Sequence, residues 1–204
     1  MILLNAIIAV VASYLLGSIS FSIVIARLVK GIDIREHGSG NAGATNTIRV
    51  LGKGPGLLVF VLDIAKGIAA VLIGRLLGPD DLGDWTAVLS GLAAIVGHNW
   101  PIWFRFKGGK GIATTVGVMV TLAFVPALIA GVIAIASIAI TRYVSLGSLL
   151  FAAFVPLLIG LIHYSLPLLL VSLLLCVFAF VRHRTNIVKL VQGTENKLGA
   201  KKGA

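Results

Sequence analysis

The chain has 204 residues, of which 58% are apolar and 12% charged, and its net charge is +10. Soluble domains carry nearer a quarter charged residues, so an ordinary soluble enzyme is excluded, as are disordered, coiled-coil and collagen-like chains. Long apolar runs specify an all-α polytopic membrane protein, expected as one integral membrane domain over 1–204. The basic excess has two ordinary sources, cytoplasmic loops and anionic lipid headgroups, with an anionic substrate as a third. A nucleic-acid partner is not expected. The lone cysteine, Cys176, lies in an apolar run and can form neither an intrachain disulfide nor a metal-ligand pair, so no metal and no cofactor are expected.

In chain order, apolar segments cover 2–26, 55–77, 85–97, 112–125, 127–141, 146–162 and 166–181. The first lacks a basic leader and a cleavage signal and reads as a retained spanning helix. The stretch 112–141 is too long for one untilted span, and Pro126 marks a turn within it. The next stretch breaks at His163-Tyr164-Ser165, with Pro167 just beyond. All 17 basic residues except Lys66 and Arg75 fall in 27–53, in 105–110, at Arg142 or in 182–202, and the acidic residues Asp80, Asp81 and Asp84 follow Arg75. If the basic groups share the cytoplasmic side, each intervening stretch crosses an even number of times. Seven transmembrane helices result, with the N-terminus outside and the C-terminus cytoplasmic. The basic, Gly-containing end, 190–204, is expected to be mobile.

Asp63 and Lys66 stand at i, i+3 inside the second segment, where charge is costly unless paired, so a mutual ion pair is expected. Gly74 and Gly78 have the spacing of close helix packing.

Three segments are richer in small polar and basic residues than topology requires. In the first, Glu36 to Arg49, glycines permit unusual backbone angles and close approach by a ligand. Residues 44–51 read as a short helix with Gly52 at its end, which places Thr45 and Arg49 on one face as a hydroxyl and a guanidinium suited to phosphate. The second, Gly97 to Thr114, carries interfacial aromatics. Its Lys107-Gly108-Gly109-Lys110-Gly111 turn opens into a helix, where unpaired N–H groups and the dipole favour an anion; the spacing is not that of a nucleotide P-loop. The third, Arg182 to Glu195, places His183 and Asn186 at i, i+3. A shorter polar spot, Arg142 to Ser145, has helix capping by Ser145 as its simplest reading.

Together these segments resemble the bacterial acyl-phosphate-dependent glycerol-3-phosphate acyltransferase family. The resemblance rests on Ser39-Gly40-Asn41-x-Gly43-Ala44-Thr45-Asn46-x-x-Arg49, on Gly97-His98-x-x-Pro101 with Phe106-Lys107-Gly108-Gly109-Lys110-Gly111-x-Ala113-Thr114, and on His183-x-x-Asn186-Ile187 with Gly193-x-Glu195-x-Lys197. It spans essentially the whole chain; Lys189 stands where many members have Arg. The resemblance implies transfer of a fatty acyl group from acyl-phosphate to glycerol 3-phosphate, giving 1-acyl-glycerol 3-phosphate (lysophosphatidic acid) and inorganic phosphate. It also implies the bacterial inner membrane, with the active site on the cytoplasmic face, surrounding membrane lipids, and an upstream enzyme that forms acyl-phosphate. An acyl-phosphate is already activated, so neither nucleotide nor metal is required.

On this reading Ser39, Arg49, Lys107, His183 and Asn186 are catalytic. Ser39, Thr45, Ser145 and N–H groups around Gly40, Asn41 and Gly43 would hold the acyl-phosphate headgroup. Arg49 and Lys107, with Lys110, would hold glycerol 3-phosphate and offset developing charge. Asn46, His98, Gly108, Gly109 and Gly111 complete the substrate-binding set. His183 and Asn186 would orient the acceptor hydroxyl or polarise the carbonyl. The general base is His183, His98 or the phosphate of the acyl donor itself. Two other classes are open to the same residues: a small transporter or flippase for a phosphorylated solute, and a lipid-binding scaffold without chemistry.

Overall fold

The computed structural model describes residues 2–78 and 84–199, which leaves Asp80, Asp81, Lys201 and Lys202 outside the described residues. Every regular element described is helical. The α-helices are α1 (Ile2–Gly17), α2 (Phe21–Lys30), α3 (Ala44–Leu51), α4 (Lys53–Leu77), α5 (Trp85–Asn99), α6 (Ile112–Leu122), α7 (Phe124–Thr141), α8 (Val144–Ile162), α9 (Leu166–Arg182) and α10 (Arg184–Val191). Each apolar segment of the sequence is therefore helical. Four stretches are long and apolar enough to cross a bilayer: Leu3–Lys30 taken through its break, Lys53–Leu77, Phe124–Thr141 and Val144–Ile162. The pair α9 and α10, bent by 62°, makes a fifth. Helices α5 and α6 fall short of the roughly 20 residues a bilayer core requires.

The helices gather into two compact units, Met1–Leu122 and Ala123–Ala204, where length alone suggested one domain. In the first unit α4 packs against α1, α3, α5 and α6. Backbones meet where glycine removes the side chain. A Cβ on Gly17 of α1 would strike the Ala94 backbone of α5, and one on Gly117 of α6 would strike the Ile64 carbonyl of α4. A Cβ on Gly74 would lie 2.7 Å from the Ala87 Cα and 2.8 Å from the Ser90 Oγ, so the glycine spacing does mark close packing.

The first apolar segment is not one helix. It breaks at Ser18–Ser20, where the Ser18 hydroxyl donates back to the Tyr14 carbonyl at 2.8 Å and competes with the helical ladder. The carbonyl of Ile19, released by the break, accepts from the Lys66 ammonium at 2.8 Å.

In the second unit α7, α8 and α9 pack in sequence, and α10 rests on α8 and α9. The break before α7 falls at Ala123, three residues ahead of Pro126. Pro126 sits in the first turn, where the N–H it lacks has no helical partner to lose. The break at His163 to Ser165 lies where the sequence placed it, with Pro167 at the start of α9. Through Gly199 the end expected to be mobile is tied down. Leu190 and Val191 belong to α10, the Arg142 guanidinium donates to the Leu198 carbonyl at 2.8 and 3.1 Å, and the Leu198 N–H donates to the Arg142 carbonyl at 2.7 Å.

Candidate active site

The short helix of the first segment runs over Ala44–Leu51 with Gly52 as its C-cap, as its sequence requires. The loop before it is stretched between two buried anchors, Ile34 and Ala42, which pack with Ile23 and Ala26 of α2. Asn46 organises that loop. Its amide donates to the carbonyls of Ile34 (3.1 Å) and His37 (2.9 Å), and its oxygen accepts from the Ser39 N–H at 2.8 Å. A Cβ on Gly38, at φ +64°, would collide with that same oxygen. Asn46 is buried with its hydrogen bonds spent inside the loop. These bonds hold Ser39 in place. Ser39 and Arg49 are exposed, and Asn41 and Thr45 half-buried.

The second loop folds back on the end of α5. Gly108 and Gly109 donate their N–H groups to the carbonyls of Asn99 (3.2 Å) and His98 (3.1 Å). In the first loop Gly40 donates to His37 at 3.1 Å and Gly43 to Asn41 at 3.0 Å. The N–H groups of these four glycines close the loops. Their missing side chains matter as well. A Cβ on Gly109 would strike both the His98 ring and the Ala42 carbonyl, so the two loops meet at this glycine. Gly111, at φ +81°, turns the chain into α6. Lys107 is exposed and Lys110 half-buried.

His98 is buried beneath the loop. Its Nδ1 lies 3.0 Å from the Lys66 ammonium and 3.5 Å from Asp63, whose carboxylate pairs with Lys66 at 2.8 Å. The expected Asp63–Lys66 pair is present, enlarged to a cluster that includes His98 and the Ile19 carbonyl. Through Nδ1 the histidine joins this cluster beneath the loop.

In the second unit His183 sits at the bend between α9 and α10 and is buried. Its Nδ1 lies 2.8 Å from the Ala179 carbonyl. A carbonyl only accepts, so Nδ1 carries the hydrogen, and in the neutral ring Nε2 carries the lone pair. Asn186 donates to Glu195 at 2.8 Å. Glu195, buried, is the Asn186 partner that the reading of the sequence quoted without a role. Ser145 is the second residue of α8, after the cap Tyr143, and does not cap it; its buried hydroxyl has no hydrogen-bond partner among the described residues. Asp33 and Arg35 were also passed over in sequence. Asp33 pairs locally with Arg35, whose further contacts lie about 70 positions away, at Phe104 and Lys107, beyond any local pattern.

Apolar helices under two interlocked glycine loops, with Ser39 and Lys107 exposed on the loops and Arg49 on α3, define a membrane-embedded protein with polar and cationic side chains gathered on those segments. The glycerol-3-phosphate acyltransferase family profile matches residues 7–193. Proteins named glycerol-3-phosphate acyltransferase from Halalkalibacterium halodurans and Shouchella clausii are each 54% identical to this chain, over 95% and 98% of both partners respectively. Among solved structures, the glycerol 3-phosphate form of PlsY (YgiH), an integral membrane glycerol 3-phosphate acyltransferase, superposes with a TM-score of 0.89 at 40% identity, covering 95% of this chain and 96% of that one. Its lysophosphatidic acid form gives 0.86 at 39%. The chain belongs to the glycerol-3-phosphate acyltransferase family. The transporter or flippase alternative finds no support among these relatives.

Proposed function

We propose that the chain transfers a fatty acyl group from acyl-phosphate to the sn-1 hydroxyl of glycerol 3-phosphate. The hydroxyl oxygen attacks the acyl carbonyl carbon, the bond from that carbon to the phosphate oxygen breaks, and inorganic phosphate leaves as lysophosphatidic acid forms. The supporting observation is the junction of the two glycine loops at Gly109, with cations exposed on both. Arg49, with Thr45 one turn away, and Lys107 with Lys110 bring charge to phosphate groups. Ser39 and Thr45 offer hydroxyls to the acyl-phosphate headgroup, and Ser145 keeps its proposed place in that set. Gly40, Gly43, Gly108 and Gly111 let the backbone turn and approach closely, and Asn41, between the first two, is assigned to the acyl-phosphate headgroup.

His183 and Asn186 are assigned to the acceptor hydroxyl, supported by the His183-x-x-Asn186 motif and by the side-chain bonds that fix each of them. The proton goes to His183 Nε2 or to the departing phosphate. Positioning of two activated partners carries most of the rate, so no acyl-enzyme is required. The proposed setting is the bacterial inner membrane, with the basic clusters and this face cytoplasmic and seven helices crossing. An upstream enzyme would supply acyl-phosphate.

Purified protein given palmitoyl-phosphate should release phosphate only with glycerol 3-phosphate present and should form lysophosphatidic acid. Release without the acceptor would indicate a hydrolase. No release by folded protein would overturn the reading.

A further inference from the structure

Beside the proposed substrate face lies a pair that takes no part in it. Arg35 grips Asp33 with two nitrogens, Nε to Oδ1 at 2.9 Å and Nη2 to Oδ2 at 2.6 Å, while the Arg35 N–H donates to Oδ1 at 3.0 Å. This guanidinium holds the Asp33 carboxyl well down, at about 2. The remaining nitrogen, Nη1, donates to the carbonyls of Phe104 at 2.9 Å and Lys107 at 3.3 Å. All three guanidinium nitrogens are thus engaged within the protein.

Those two carbonyls bracket a tight turn. The Lys107 N–H donates to the Phe104 carbonyl at 3.3 Å, and the central residues Arg105 and Phe106 have φ of +56° and +57°. A turn with two left-handed residues is ordinarily built from Asn-Gly or Asp-Gly. Arg-Phe has no such tolerance, and strain of this kind persists only where the surroundings over-determine it. Here the surroundings are Arg35 on one side and the Pro101 carbonyl on the other, which accepts from Phe104 at 3.1 Å and Phe106 at 2.9 Å. Lys107 follows the turn directly, so the turn sets where its ammonium stands.

We propose that Asp33 and Arg35 form a latch that clamps the strained Arg105-Phe106 turn and fixes Lys107, which makes them positioning residues for acyl transfer. The inference rests on the reading that Lys107 holds the acceptor's phosphate.

The test compares the full chain in detergent with Arg35→Ala, Arg35→Lys, Asp33→Asn, Lys107→Ala and the double variant Arg35→Ala/Phe106→Gly. Two quantities are read: the rate of tryptic cleavage after the exposed Arg105, and KM and kcat for glycerol 3-phosphate. Arg35→Ala should cleave several-fold faster and raise KM about tenfold, the scale of lost charge-assisted hydrogen bonds, with kcat within about threefold. Asp33→Asn should move both in the same direction by less. Lysine cannot reproduce the fork, so Arg35→Lys should resemble Asp33→Asn. Phe106→Gly adopts positive φ without penalty and should recover much of the KM lost in Arg35→Ala, a rescue that a general loss of folding would not permit. If Lys107→Ala raises KM while Arg35→Ala alters neither cleavage nor KM, the latch is overturned and the substrate reading stands. If Arg35→Ala raises KM without loosening the turn, and Asp33→Asn is silent, Arg35 acts as a direct ligand and the latch is again overturned. If Lys107→Ala leaves KM unchanged, the inference falls with the reading beneath it.

Discussion

The first unit holds two populations of cation. Lys66 is buried between the Asp63 carboxylate, the His98 ring and the Ile19 carbonyl. Arg49 and Lys107 are exposed on segments bounded by glycine. The difference separates scaffold from chemistry. A cation in an apolar interior must be fully partnered before any substrate arrives, whereas an exposed cation is screened by water and can take an anion from solution. The same contrast divides Asn46 from Ser39 within one motif: the first spends its amide on the loop, and the second is held out by it.

The contrast breaks most readily at Lys66. Replacement by Met leaves Asp63 buried and unpaired by its lysine, with an expected cost of about 3–5 kcal/mol. Thermal unfolding in detergent should show it, and Asp63→Leu with Lys66→Met should recover most of the loss. A double variant as unstable as the single would mean that the pair is not the scaffold element described. Arg49→Ala should do the reverse, lowering kcat/KM about 100-fold, or about 2.7 kcal/mol, while the unfolding temperature stays put. A comparable stability loss would erase the distinction between the two populations.

Asn46→Ala tests the middle ground. It leaves the carbonyls of Ile34 and His37 and the Ser39 N–H without their partner, at about 1–3 kcal/mol, and should speed hydrogen exchange at Ser39. The smallest effect belongs to Asp33. Because its carboxyl is held down at about 2, the stability it contributes is complete above the ordinary carboxylate range and fades only as pH falls through that value. An acid titration of unfolding should show this late loss in the parent protein and not in Asp33→Asn.

Much of this organisation was readable from the chain. The apolar segments are helical, the first of them split in two, Gly52 closed α3 where glycine should, and Asp63 paired with Lys66 because three residues on a helix leave them adjacent. What escaped lies in long-range contact. His98 was read as a substrate-binding residue or base from its motif; its place on the last turn of α5 turns its Nδ1 inward onto Lys66. Asn46 entered the substrate-binding set through its place in the motif, and only the path of the loop reveals the bonds it makes there. The bonds of four glycine amides escaped for the same reason, since a turn shows where N–H groups lie and not which carbonyls reach them. In the second unit the tail from 190 looked mobile by composition, and the carbonyl that holds Arg142 belongs to Leu198, 56 positions away.

The placement of Asp63 and Lys66 on one helix has a further consequence, for biosynthesis. A ribosome delivers α4 before α5, so Lys66 reaches the membrane before His98 exists. Had its counter-charge been on a later helix, α4 would leave the insertion machinery carrying a bare ammonium. With the carboxylate three residues upstream the buried middle of the helix departs with its charges paired, and the carbonyl of Ile19, made earlier still, is already waiting for the lysine. The histidine then completes a cluster whose charge was balanced before it arrived.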